Sequence, residues 1–201
     1  TISGKDKLDS TSIDNSQYNL EKLISESNDL KNIKIGIPKE YFNKDTDGLE
    51  SAVKENISQA IERLKSQGAQ IIEVSLPHTE YALPVYYLIM ASEVSTNLTR
   101  YDGIKYGYSQ GEKLLDVYLK SRDRGLGAEV KRRIMLGTYA LSSGYYDAYY
   151  LKAKKVQALI KRDFDQTFKN VDVLVTPVSP TVAFKLGEKI QDPLTMYLSD
   201  I

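Results

Sequence analysis

A chain of 201 residues, 41% hydrophobic and 27% charged, is long and apolar enough for one substantial core and lies outside the disordered class. Its 27 basic and 27 acidic residues cancel, so no global field draws it to nucleic acid or an anionic membrane, and any RNA contact is local or through a partner. Zero cysteines exclude disulfides, thiol catalysis and thiolate metal sites, and the single His78 excludes a His-pair zinc site.

No apolar run approaches the ~18 residues that span a bilayer, and nothing at the start reads as a signal peptide, so a cytoplasmic location is expected. Residue 1 is Thr rather than Met, and the chain stops at Ser199-Asp200-Ile201 without a terminating pattern. It reads as a piece of a longer protein, one truncated domain over 1–201.

Residues 1–31 are polar, with Asp9-Ser10-Thr11-Ser12 before spaced Leu and Ile, and suggest a loop-rich entry segment over the surface. Residues 32–77 read as strand-helix-strand. Ile33 to Pro38 alternates apolar residues with a β-branched bias and ends at proline, giving a strand at 33–38. Asp47 with Glu50 suggests a capping box, and Leu49, Val53, Ile57, Ile61 and Leu64 recur at helical spacing until Gly68. A second strand at 70–76 stops at Pro77, and such units favour parallel pairing. His78 follows in a turn and reads as an exposed histidine in preference to a general base.

Residues 80–170 are helical by pattern, over 81–101, 111–122, 126–142 and 144–169. The last carries Tyr149, Ala153, Val156, Ile160, Phe164 and Phe168 at three- and four-residue steps, and ~25 residues make it about 38 Å long. In 171–201, Val171 to Thr176 is nearly all apolar, as suits a strand at 171–176 covered on both faces, before Pro177 and Pro180 turn the chain into a loop. The class is α/β, with a few mixed strands packed with several long helices.

Candidate chemistry is sparse. Ser142-Ser143-Gly144 has lysines nearby but reads better as the end of one helix and the cap of the next than as a nucleophile. Asp163 and Asp165 fit a solvated helix face, and the glycines from 103 to 127 match no phosphate-binding spacing. Fifteen tyrosines, concentrated between 81 and 150, suit half-buried packing, with one or two available to a polar pocket. Arg133 stands apart. On a helix, Val130, Ile134, Gly137 and Leu141 share one apolar stripe; position 133 falls about 60° to its side and 132 points away. A guanidinium beside packed protein needs a carboxylate or carbonyl, whether structural or from a ligand.

Several longer runs resemble a known family. They are Tyr86 to Leu98 (YYLIMASEVSTNL), Thr99 to Gly107 (TRYDGIKYG), the block around Arg133 from Glu129 to Tyr150, Asp172 to Thr176, and Asp192 to Tyr197, with Asp9-Ser10-Thr11-Ser12 similar too. Together they are similar to the A subunits of glutamyl-tRNA(Gln) amidotransferases, within the amidase-signature family, along essentially the whole chain. The resemblance implies part of the amidase-signature fold and a glutaminase half-reaction. Glutamine is hydrolysed, and its ammonia is passed to a partner that amidates Glu-tRNA(Gln) using ATP.

In that family a Lys, a cis-Ser and a nucleophilic Ser in a Gly/Ser-rich signature carry the chemistry. The signature falls upstream of residue 1, so no position here inherits a catalytic role and the isolated piece is expected to be inactive. The resemblance does place a substrate pocket. Arg133 would hold the α-carboxylate of glutamine and Asp200 its α-ammonium, with Tyr86, or its neighbour Tyr87, beside them; fork and acid together read a zwitterionic head group. It implies no cofactor in this chain, ATP and Mg²⁺ at the partner subunit, B and C subunits as partners, Glu-tRNA(Gln) bound mainly through the B subunit, and neither membrane nor DNA. Two rivals remain: another amidase of the family acting on simple amides, and a non-enzymatic α/β ligand-binding lobe.

Overall fold

The computed structural model describes residues 4–14, 30–42, 49–188 and 196. Strand β1 (Lys34–Pro38) lies in the middle of a parallel sheet of order β2-β1-β3, paired along all five residues with β2 (Gln70–Val74) and over two with β3 (Val173–Leu174). Between β1 and β2 runs helix α1 (Ser51–Ser66), so the strand-helix-strand unit forms as its pattern requires. Asp172 fixes the β1–β3 register from both sides: its N–H donates to the Lys34 carbonyl (2.8 Å), and its Oδ2 accepts the Lys34 N–H (2.8 Å). Gly36 lets the two strands close up, because a Cβ there would stand 2.6 Å from Leu174 Cδ2 and 3.1 Å from Val171 Cγ2.

Two local expectations change around the sheet. Helix α1 starts after Glu50, which is its N-cap and not its third residue, so the capping box does not form there; Asp47 lies outside the described residues. Glu50 instead ties the helix start to the chain beyond β3, donating its N–H to the Pro180 carbonyl (2.9 Å) and accepting the Val182 N–H at Oε2 (3.4 Å). Strand β3 is not covered on both faces: it pairs for two residues and Val173 keeps 44% of its surface exposed. An apolar run signals what a strand could bury, but the neighbour that buries it must come from elsewhere in the molecule.

The helices follow in chain order as α2 (Ala82–Leu98), α3 (Leu114–Gly125), α4 (Ala128–Leu141) and α5 (Lys152–Thr167). Helix α3 begins three residues later than its pattern suggests, because the preceding loop folds back onto it: the buried Ser121 hydroxyl accepts the Gln110 N–H at 2.9 Å. The long final helix is interrupted near its start. Gly144 takes φ +89, a conformation that L side chains avoid. A π-helical turn over Asp147–Leu151 then precedes α5, with the Leu151 N–H reaching back five residues to the Tyr146 carbonyl (3.0 Å).

Helix α2 is the centre of the helical layer. Val85 and Ile89 meet Ala153 of α5 in a core completed by Leu88, Val156 and Ile160, and on another side α2 packs against α4. The second contact is backbone to backbone: a Cβ on Gly137 would lie 1.9 Å from the Ala91 carbonyl oxygen. His78 joins the sheet unit to this layer. It is not the freely exposed histidine its turn suggested, for its N–H donates to Asp163 Oδ2 (2.9 Å) and its Nδ1 lies 3.0 Å from Oδ1. Asp163 is correspondingly buried to 12% side-chain exposure and does not share the solvated face that Asp165 occupies at 55%. Among the described residues no helix is long and apolar enough to cross a membrane.

Candidate functional site

Arg133 projects from α4 beside the stripe that packs on α2, and the two adjacent arginines divide as helix geometry requires: its side chain is 24% exposed, that of Arg132 59%. The more buried one has neighbours on both helices. Arg133 Nε donates to Glu129 Oε1 at 2.9 Å, one helical turn back; its Cζ lies 5.5 Å from the centre of the Tyr87 ring; and its Nη1 approaches the Met90 sulfur at 3.5 Å. The cation is thus paired with an acid of its own helix and laid over an aromatic face, where the ring quadrupole attracts it.

Tyr86 faces a different space. It meets Tyr87 edge to face, 5.2 Å between centroids at 88°, and helps to line a groove of about 700 Å³ between α2 and α5. That groove is walled by Val85, Ile89, Met90 and Val94, with Glu93, Asn97 and Gln157 as its polar groups. Met90 is common to both places: it meets Arg133 and lines the groove with Tyr86, while Tyr87 touches both Arg133 and Tyr86. Asp200, the third residue expected here, lies outside the described residues.

Neither Glu129 nor Met90 is marked by the sequence as a neighbour of the guanidinium, and Tyr87 stands there only as an alternative to Tyr86. Glu129 could have been found, since it precedes Arg133 by four residues and Arg132 by three, the spacings at which helical side chains meet. Tyr87 and Met90 sit on another helix, beyond the reach of any local pattern.

The hydroxyls of Ser142, Ser92 and Ser95 are all engaged by backbone carbonyls. Ser142 caps the end of α4 and donates its hydroxyl to the Tyr139 carbonyl (2.7 Å), while the buried Ser92 and Ser95 donate to carbonyls of their own helix. Tyr139, Tyr145 and Tyr149 cluster with tilted rings at centroid distances of 4.5 to 5.9 Å, half exposed, where α4 gives way to the π-helical turn. The hydrogen bond to Tyr145, then burial and the two neighbouring hydroxyls, push the Tyr139 phenol up to about 12. Among the described residues no group of three or more acids or histidines is placed to hold a metal ion. Taken together, these side chains hold a guanidinium between an acid and an aromatic ring, beside an apolar groove.

Comparison with known proteins identifies the family to which these elements belong. The family described as Amidase matches residues 1–201. A Thermodesulfovibrio yellowstonii protein, named as the A subunit of glutamyl-tRNA(Gln) amidotransferase, is 56% identical over 201 residues, all of this chain and 40% of that protein. A Pelagibacter ubique protein of the same name is 55% identical over 201 residues, again the whole chain and 40% of the relative. The chain therefore spans about two fifths of the length of these relatives. Among solved structures, the A subunit of the Thermotoga maritima glutamyl-tRNA(Gln) amidotransferase superposes with a TM-score of 0.61 at 31% identity, over 98% of this chain and 37% of that one. A crystal structure titled as an amidase shares the fold at 20% identity, with a TM-score of 0.58 over 85% of this chain and 37% of its own. A family match running the full 201 residues, on a fold common to both solved proteins, makes this chain a member of the amidase family.

Proposed function

We propose that this chain is part of the A subunit of a glutamyl-tRNA(Gln) amidotransferase, supplying one side of the pocket in which glutamine is hydrolysed to release ammonia. The observation that carries the reading is identity of 52–56% along the whole chain to relatives that bear that name. The bond-breaking Lys and serines belong to polypeptide outside these 201 residues, which form one truncated domain and are inactive alone. Arg133 engages the α-carboxylate of glutamine, Asp200 its α-ammonium, and Tyr86 lies against the substrate from the groove side. The position of Arg133, half-buried at the α2–α4 seam and one side chain from that groove, supports the assignment. A planar fork pairs with a carboxylate through two parallel hydrogen bonds, which a neutral primary amide without a carboxylate does not supply.

In the assembled enzyme the partners are B and C subunits, with Glu-tRNA(Gln) held mainly by the B subunit. ATP and Mg²⁺ serve the amidation there, hydrolysis by this subunit needs no cofactor, and the complex works in the cytoplasm. The test is R133A in the full-length protein, assayed on glutamine and on a simple amide. Loss of charge-assisted hydrogen bonds worth about 1.5–3 kcal/mol lowers kcat/KM for glutamine by roughly ten- to a hundredfold. Turnover of the simple amide stays nearly unchanged. Equal retention of both activities would instead favour an amidase of this family that acts on plain amides.

A further inference from the structure

A carboxylate anchor is useful only if its guanidinium is held at a fixed angle, and the neighbours of Arg133 show how that is done. Glu129 accepts Arg133 Nε–H at Oε1 (2.9 Å) and Arg132 Nη1–H at Oε2, so one carboxylate straddles two cations. On the α2 side the plane is supported by the Tyr87 ring at 5.5 Å and by the Met90 sulfur at 3.5 Å. Tyr87 is in turn braced edge-on by Tyr86, whose other side faces the groove. The two helices cannot easily slide, because Gly137 lies directly on the Ala91 backbone one turn further along α4.

We propose that Glu129, with Tyr87, is a positioning residue for glutamine recognition: it fixes the Arg133 fork so that the substrate's α-carboxylate meets a preset pair of donors. This rests on the reading of Arg133 as the carboxylate anchor. Two effects of Glu129 oppose each other. Its negative charge repels an incoming carboxylate, while its hydrogen bond orients the group that receives it. The side chain is 44% exposed and shared with Arg132, so its charge is screened by water and offset by a second cation. Orientation is not screened, and looseness of about 1 Å in a binding group is enough to weaken a site. Positioning therefore decides the sign.

The experiment is steady-state glutaminase kinetics on the full-length enzyme in its assembly. Glu129→Ala is expected to raise KM for glutamine about tenfold with kcat held within about twofold, the signature of lost binding in the ground and transition states alike. Glu129→Gln, whose amide oxygen still accepts the Nε–H, is expected to stay within about threefold of the native KM. In an Arg133→Lys background, where no Nε remains to be oriented, Glu129→Ala should add nothing further. Tyr87→Leu keeps an apolar side chain but removes the ring quadrupole, and should raise KM severalfold, providing an independent arm if Glu129→Ala folds poorly. An unchanged or lowered KM in Glu129→Ala, or equal losses in Ala and Gln, overturns the proposal. If Arg133→Ala raises KM and Glu129→Ala does not, the positioning role alone fails. If Arg133→Ala itself leaves KM unchanged, the anchor reading fails and takes the positioning role with it.

Discussion

Substituting Gly137 by Ala sets two known effects against each other, and the structure says which prevails. In an open helix the change is favourable by roughly 0.5–1 kcal/mol, because glycine loses more backbone freedom on folding. Here the new Cβ would stand 1.9 Å from the Ala91 carbonyl oxygen, 2.4 Å from its carbon and 2.8 Å from the Ser92 nitrogen, where ordinary contact begins at 3.4 Å. The obstacle is helix backbone and cannot swing aside as a side chain would, so α2 and α4 must part by about 1.5 Å. Overpacking of this kind costs typically 1–3 kcal/mol, and rigid walls on both sides place it at the upper end. Net destabilisation of about 2 kcal/mol lowers Tm by roughly 4–8 °C in a chain of this length. Circular dichroism melting of the native protein and G137A reads it directly, with G127A as control, since Gly127 has φ −67 and nothing within 4 Å of a methyl placed there. A G137A protein melting at or above the native temperature would refute the close crossing of α2 and α4, and with it the placement of Arg133 over Tyr87.

Asp163 accepts the His78 N–H from a nearly buried position, so D163A removes a charge-assisted bond and costs about 1.5–3 kcal/mol in urea denaturation, whereas D165A, which loses an exposed pair with Lys161, costs under about 0.5 kcal/mol. Equal effects would show that the tie between the sheet unit and α5 contributes nothing. The Tyr139 phenol, raised from 10.0 to about 12, favours the neutral form in the fold, so its contribution is whole below pH 10 and is lost as the pH rises through about 12. Phenolate absorbance, taken as the difference between native protein and Y139F, should show that late midpoint, and Y145F should bring it back towards 10 by removing the largest cause. A native midpoint already near 10 would rule out the hydrogen-bonded tyrosine cluster.

Much of the scaffold is legible without coordinates because its signals are local. The spacing of Leu49 to Leu64 and of Ala153 to Phe168 reports which face of a helix is apolar, and the alternation in Ile33 to Pro38 reports a strand that proline must end. The division of labour between Arg132 and Arg133 follows from 100° per residue alone. Where helices begin was less legible: the start of α3 is delayed by a loop hydrogen-bonded to Ser121, and α1 is fastened at Glu50 by chain from beyond β3. Gln110 and Ser121 stand eleven residues apart, and Pro180 lies far along the chain from Glu50.

Local pattern therefore supplies an inventory: α/β class, a parallel strand pair around a helix, a cation beside packed protein, and blocks specific enough to indicate the family. Which groups meet is a property of the closed fold. Folding brings Tyr87 and Met90 of α2 to Arg133 of α4, sets Tyr86 and Met90 in the wall of one groove, and binds His78 to Asp163. The physical reason is range. Backbone periodicity is set by neighbours within one turn, whereas a contact between side chains far apart in sequence exists only after sheet and helices have closed on one another, at a crossing distance that a single glycine permits.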